Sequence, residues 1–414
     1  MTSPLCLHLF KGYGVELEYM IVDRETLSIL PIADRLLAAA AGEGAESGPE
    51  ISVDRGLLSW SNELALHVVE LKTTNPVSAL DGVYKTFQEQ IVEIDSLLQP
   101  LNARLMPTAM HPWMDPLTET RLWPHENMEI YNAFDRIFGC QGHGWSNLQS
   151  VHLNLPFANA DEFGRLHAAI RMLMPVMPAL AASSPVFELM AGEFLDNRME
   201  AYRGNCAKVP SVTGRVIPEA VFSPEAYERE ILQRMYRDIA PYDSEGTLQE
   251  EWLNARGAIA RFDRNTIEIR VLDIQECPQA DLAIVTAIAD VLRALCEERF
   301  LSYAEQKTWD VEPLFAILQA AVCDAESAVI TNRHYLSAFG LDTASATAGE
   351  LWQHLFESVL TDASPEVMIP LNRIAQKGSL ARRILRALDG DLSRLRVKEV
   401  YGKLCECLAA GEMF

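Results

Sequence analysis

The sequence predicts an α+β protein: a mainly antiparallel sheet with helices outside it over residues 1–300, then a helical C-terminal region over 301–414 packed on it. Three observations predict this. Strand-like runs follow one another without an intervening helix, which implies antiparallel pairing and argues against a doubly wound βαβ sheet. The run Ile259–Arg270 carries alternating apolar residues on both sides of Asp263-Arg264-Asn265, residues that tolerate turn conformations, and so reads as a hairpin. Beyond residue 301, Leu, Ala and Val recur at three- and four-residue spacing, the period of amphipathic helices.

In chain order, the first strand is Gly12–Asp23. Side chains alternate across a strand, so Val15, Leu17 and Tyr19 share one face while Glu16 and Glu18 share the other, about 7 Å apart. Two like charges there repel unless a cation or water neutralises them. The run is therefore either a solvent-facing strand or a binding strand for a hard cation such as Mg²⁺ or Mn²⁺, which takes carboxylate oxygens. Strands Glu50–Ser59 and Glu63–Thr73 follow. Glu63 and Glu70 are an odd number of residues apart, so a regular strand sends them to opposite faces; either a bulge re-aims one, or only one joins Glu16 and Glu18. Glu70 lies among Val68, Val69 and Leu71, where an unpaired carboxylate is costly; a salt bridge to Lys72 or an arginine is the simpler alternative.

Helix Val77–Leu98, strand Arg104–Thr108 and a Pro-punctuated loop, His111–Pro124, lead to strand Ser146–Leu155. Ser150, His152 and Asn154 share a face there, opposite Val151, Leu153 and Leu155. His152 is either a satisfied structural group, a metal ligand or a phosphate donor. After helix Ala160–Leu173 come Ala182-Ser183-Ser184-Pro185, Asp196-Asn197-Arg198 and Tyr202-Arg203-Gly204-Asn205, where Arg198 and Arg203 form the kind of cluster that clamps a carboxylate or phosphate. Helix Pro224–Ile239 precedes the hairpin, where Thr266, Glu268 and Arg270 oppose Ile267, Ile269 and Val271. Glu268 and Arg270 are most simply an ion pair; beside other carboxylates, Arg270 also suits a phosphate as a rigid bidentate donor. Helix Pro278–Phe300 closes the mixed region. The C-terminal helices are Asp310–Asp324, Thr347–Leu360, Pro365–Ala375 and Leu380–Glu412, with Ser379 and Ser393 as N-caps.

Composition narrows the function classes. Hydrophobic residues make up 49% and charged residues 22% of the chain, as in soluble globular proteins. A net charge of −23 argues against nucleic acid or an anionic membrane as partner and fits cations, or an anionic substrate arriving with its metal. The eight cysteines contain no Cys-x-x-Cys pair, which points to reduced thiols in the cytoplasm. Met1–Phe10 does not read as a signal peptide, and the apolar run Met172–Ala182 is far short of a membrane span. Neither phosphate-binding glycine loop occurs, nor Gly-x-Ser-x-Gly, nor His-Glu-x-x-His.

Together, Gly14-Val-Glu16-Leu-Glu18-Tyr-Met, Glu63 with Glu70-Leu-Lys-Thr73, Val151-His152-Leu-Asn154, Ala182-Ser-Ser-Pro185 with Asn197-Arg198, and Glu268-Ile-Arg270-Val-Leu-Asp273 resemble the glutamate–cysteine ligase family, in its bacterial and plant-type carboxylate–amine ligase branch within the glutamine synthetase superfamily. The resemblance covers roughly residues 12–300. It implies a sheet curved into a funnel whose inner face binds Mg²⁺, or Mn²⁺, through Glu16, Glu18, Glu63, Glu70 and Glu268. It implies that His152, Asn154 and Arg203 lie near nucleotide or substrate, and that Arg198 and Arg270 contact phosphates or the substrate carboxylate. The implied reaction uses ATP to phosphorylate a side-chain carboxylate, and an amine then displaces phosphate to give an amide. Glutamate and cysteine are the default substrates; another amine or carboxylate is the alternative. A kinase-like phosphoryl transferase and a non-catalytic metal- or metabolite-binding homologue are the rival readings. Acyl phosphates hydrolyse, so a lid is expected, with His111–Pro124 and Tyr202–Gly214 as candidates. Small amino-acid substrates are the expected partners, with no nucleic acid or membrane, and a homodimer is a possibility.

Overall fold

Strand β1 (Gly14–Asp23) is the spine of an eight-stranded antiparallel sheet that also contains β2 (Ser52–Arg55), β3 (Leu58–Asn62), β4 (Val68–Thr73), β5 (Ala103–Met106), β6 (Ser150–Pro156) and the hairpin strands Ala258–Arg261 and Thr266–Asp273. β4 and β6 flank β1, β3 and β2 continue beyond β4, and the hairpin continues beyond β6. β5 pairs with the second half of β1. This computed structural model describes residues 6–42 and 52–414. Most of the predicted Ala41–Pro49 loop, and the start of the predicted Glu50–Ser59 strand, lie outside the described residues.

Alternation sorts the sheet into two faces. Val15, Leu17, Tyr19 and Ile21, with Trp60, Val69, Leu71, Leu153, Leu155, Ile267 and Ile269, are buried in one core with helices Val83–Leu98, Ala160–Leu173 and Pro278–Cys296. Each such side chain contributes about 1.5–3 kcal/mol on burial. The opposite face of β1 is acidic at Glu16 and Glu18, then apolar at Met20 and Val22. There Leu380, Ile384, Val397, Tyr401 and Leu404 of the last two helices cover it.

Several boundaries differ from those predicted. The expected Glu50–Ser59 strand is in fact two: β2 turns into β3 at Gly56, whose φ of +89° is costly for residues with a Cβ. Residues 63–67 leave the ladder, so only Val68–Thr73 of the second run is strand. A helical turn at His143–Ser146 delays β6 to Ser150. The first long helix begins at Val83, after Gly82 with φ +73°. The last predicted helix breaks at Asp389 and Gly390, both with positive φ, into Leu380–Leu388 and Arg394–Ala410. Ser379 and Ser393 cap these two as expected, accepting from the amides of Arg382 and Arg396. Among the described residues, no helix is long and apolar enough to cross a membrane. The eight cysteines are unpaired.

Candidate active site

The acidic face of the sheet is the floor of a cavity of about 600 Å³. Glu16 and Glu18 of β1, Glu70 and Lys72 of β4, Ser150 and His152 of β6, and Glu268 and Arg270 of the hairpin all line it. Strand register sets their spacing. Glu16 sits between Lys72 on one side and His152 on the other, while Glu18 directly opposes Glu70. Two carboxylates opposed in this way repel, and the local sequence does nothing to avoid it. Glu63 joins them from the irregular stretch after β3. That placement resolves the parity problem: Glu63 is off the ladder, so alternation does not govern it, and both Glu63 and Glu70 reach the cavity.

His152 is the hub. Its Nδ1 lies 2.9 Å from Glu16 Oε2 and 3.8 Å from Glu268 Oε1, and its Nε2 lies 3.7 Å from Glu18 Oε1. The Glu18 carboxylate also accepts from the backbone amide and hydroxyl of Ser150, at 2.7 and 3.0 Å. Glu70 accepts from Ser61 at 2.6 Å and from Lys72 at 2.5 Å, so the salt bridge to Lys72 is present as well as the cluster. In two groups, Glu16–His152–Glu268 and Glu18–Glu70–His152, one donor atom from each residue lies within 4.8 Å of the others.

The electrostatics record the crowding. Burial pushes the Glu63 carboxyl well above its usual range, and the charges of Glu18 and Glu70 push the same way. Burial also raises Glu70, to about 7, with Lys72 opposing. Burial would lower His152, yet its hydrogen bond to Glu16 and the surrounding carboxylates raise it to about 9. For Glu16 burial is likewise outweighed, here by the bond to His152, and its carboxyl is held well down. The site is thus a cluster of carboxylates held at close quarters, with His152, Lys72, Arg261 and Arg270 as counter-charges among them.

Opposite this floor stands an aromatic wall. Ile130, Tyr131 and Phe134 of helix Met128–Phe138 line the cavity with Trp145, Leu148 and Trp252. The Phe134 ring centroid lies 5.2 Å from that of Trp145 and 5.8 Å from that of Trp252. Asn62 Nδ2 donates to Tyr131 Oη at 3.1 Å.

The sequence profile of glutamate–cysteine ligase family 2 matches residues 13–400. The chain belongs to this family. It is 36% identical over 285 residues to an uncharacterised protein of Archaeoglobus fulgidus, covering 69% of this chain and 75% of the relative. A Rubrobacter xylanophilus protein provisionally named glutamate–cysteine ligase 2-3 is 24% identical over 289 residues, 69% of each chain. Among solved structures, a glutamate–cysteine ligase of Francisella tularensis in complex with AMP aligns with TM-score 0.64 at 12% identity, covering 95% of this chain and 88% of that one. A bifunctional glutathione synthetase of Pasteurella multocida aligns with TM-score 0.54 at 15% identity over 96% of this chain, which spans 52% of that longer chain. The shared fold is the mainly antiparallel sheet with outer helices that the sequence predicts.

Within this member of glutamate–cysteine ligase family 2, the cavity brings together Glu16, Glu18, Glu63, Glu70, Glu268, His152 and Arg270, with Arg198 at its edge. The remaining expected site residues lie elsewhere. Asn154 sits behind Glu16 and donates to its Oε1 at 2.9 Å, so it holds the carboxylate without reaching the cavity. It packs there because its partner in register is Gly14, where an added Cβ would come within 2.9 Å of Asn154 Cβ. Arg203 pairs with Glu200 one turn earlier on helix Asn197–Gly204 and does not line the cavity. Of the two lid candidates, His111–Pro124 packs into the fold through His111, Met114 and Trp123 and stays off the cavity. Tyr202–Gly214 contributes Tyr202, Asn205 and Cys206 to the lining. Sequence reasoning missed the aromatic wall, together with Arg261 and Arg264, which line the cavity from the hairpin. The Ile130–Phe134–Phe138 spacing was the available signal for the helix, but no one-dimensional pattern says that its apolar face looks at the acidic strands.

Proposed function

We propose that this ligase-family member is an ATP- and Mg²⁺-dependent carboxylate–amine ligase of the cytoplasm, forming γ-glutamylcysteine from glutamate and cysteine. One observation carries the reading: five glutamates crowd one cavity, and the hairpin lines the same cavity with Arg261, Arg264 and Arg270 beside them. Carboxylates alone would suit a simple cation site. Arginines beside them suit a polyanion delivered with its cations. The AMP complex of the Francisella tularensis ligase supports a nucleotide as that polyanion.

The residues fit the metal. The donors in each group are two carboxylates, from β1 with β4 or the hairpin, and the His152 imidazole between them; the carboxylate oxygens suit a hard divalent cation, which would relieve their like-charge repulsion. When bound, Mg²⁺ neutralises phosphate charge and draws electron density from the phosphorus under attack. The chain's own groups do the rest. Glu16, Glu18, Glu63, Glu70 and Glu268 would hold the cation. Arg270, beside Glu268 at 2.5 Å, would stabilise the transferring phosphoryl group. The glutamate carboxylate oxygen attacks the γ-phosphorus and ADP leaves. The amine nitrogen then attacks the acyl carbon, the bond from that carbon to the phosphate oxygen breaks, and the departing phosphate takes the proton that the nitrogen gives up. The aromatic wall shields this step from water.

The same wall favours a second reading within the class, an amine with a larger apolar group than that of cysteine, because Trp145, Phe134 and Trp252 offer more apolar surface than a mercaptomethyl group covers. ADP release with MgATP and L-glutamate, measured with a panel of amines and read by mass spectrometry, tests both. A γ-glutamyl amide that requires glutamate and one amine upholds the class and names the acceptor. ADP release with a stable phosphorylated product, or no turnover by protein that still binds Mg²⁺, rejects it.

A further inference from the structure

The hairpin strand Thr266–Asp273 is not regular. Ile269 pairs with Leu153 and Leu272 with Val151, so Arg270 and Val271 together oppose the single residue His152. This is a β-bulge, two residues against one, and it inverts the parity of everything after it. Strict alternation puts Asp273 on the apolar face with Val271. The bulge instead sends Leu272 into the core and aligns Asp273 with Ser150, on the side of the acidic cluster.

A bulge also frees backbone groups from the ladder, and here they have dedicated partners. The Arg270 amide donates to Gly257 O at 2.9 Å. The Arg270 carbonyl accepts from Arg198 Nη2 at 2.7 Å, and Arg198 Nη1 lies 3.4 Å from Asp273 Oδ1. The Ser183 amide and the Ser184 hydroxyl both donate to Asp273 Oδ2 at 2.8 Å, and Ser184 Oγ accepts from the Arg198 amide at 3.1 Å. Arg198 and Asp273 are 2% and 1% exposed. Such a buried charged network is costly to build and poor as a mere stabiliser. Its geometry converges on one carbonyl, that of Arg270.

On the ligase reading above, we infer that Asp273, gripped by Ser183 and Ser184, is a positioning residue: through Arg198 it fixes the bulge that aims the Arg270 guanidinium at the transferring phosphoryl group. Arg198 thus acts on the backbone of Arg270. An error near 1 Å in the aim of a group acting on the transition state costs on the order of a hundredfold in rate, and it falls on kcat when ground-state binding is spared.

The test is a kinetic cycle. Asp273→Asn in the full-length protein should lower kcat about tenfold or more with the KM for MgATP changed less than about twofold, and in an Arg270→Lys background it should cost less than about twofold further. Ser184→Ala, which keeps every charge, should show the same pattern more weakly, and it decides the question if Asp273→Asn does not fold. A folded variant with full kcat overturns the proposal, as does an equal fold-loss in both backgrounds, the signature of a general structural defect. If the wild-type protein ligates no amine, the ligase reading fails by itself, and the crystal structure of the Asp273→Asn variant decides the positioning claim. Arg270 displaced from Glu268 upholds it; Arg270 unmoved refutes it.

Discussion

At pH 8 and without metal, the carboxyl of Glu63 costs this protein stability. Its folded pKa is held well above the ordinary value by burial and by Glu18 and Glu70, so the unfolded chain gives up that proton at lower pH than the folded one. The stabilising term is therefore full below the ordinary carboxylate pKa and is lost as pH rises above it. Glu63→Gln should raise the melting temperature at pH 8 in chelator, by an amount that disappears near pH 4, and should respond less than the wild-type protein to added Mg²⁺, as the proposed metal site requires. Melting curves with chelator and with Mg²⁺ check this; a lower melting temperature for the variant at pH 8 contradicts it. At this scale much of the site was legible. Alternation put Glu16, Glu18 and His152 on one face, because they lie in unbroken strand. It could not treat Glu63, which sits off the ladder, nor see that Asn154, of the same parity, is tucked behind Glu16 by its contact with Gly14. Arg203 is held off the cavity for a local reason: it pairs with Glu200, three residues earlier on the same helix.

At the scale of elements, the sheet was readable from period-two alternation, and its interruptions were not. The Arg270–Val271 bulge left no mark in the sequence, yet it decides where Asp273 goes. The last two helices show the reverse case. Their amphipathic pattern was clear, but their purpose was not, because it depends on β1 turning from acidic to apolar at Met20. Leu380 and Leu404, buried against Met20 and Val22, close that end of the sheet. Leu404→Ala should lower unfolding free energy by about 2–5 kcal/mol, the usual range for a large-to-small core change. Its effect on the KM for MgATP should be slight, since Leu404 does not line the cavity. Denaturant titration beside steady-state kinetics checks the pair. A variant of unchanged stability would mean that these helices do not clamp β1 as described.

At the scale of the molecule, a chain with net charge −23 gathers Lys72, Arg198, Arg261, Arg264 and Arg270 around one cavity. Composition alone indicated cations or a metal-borne anion. It could not reveal the aromatic wall, which is assembled from Ile130–Phe134, Trp145 and Trp252, segments distant in sequence. The central claim is that this cavity activates a carboxylate by phosphorylation. Oxygen-18 transfer tests it most directly: L-glutamate labelled in its γ-carboxylate is turned over with MgATP and the best amine from the panel, and the released phosphate is analysed by mass spectrometry. The account predicts one labelled oxygen in each phosphate, carried over when the acyl phosphate breaks at its carbon–oxygen bond. Amide formation with unlabelled phosphate would contradict it.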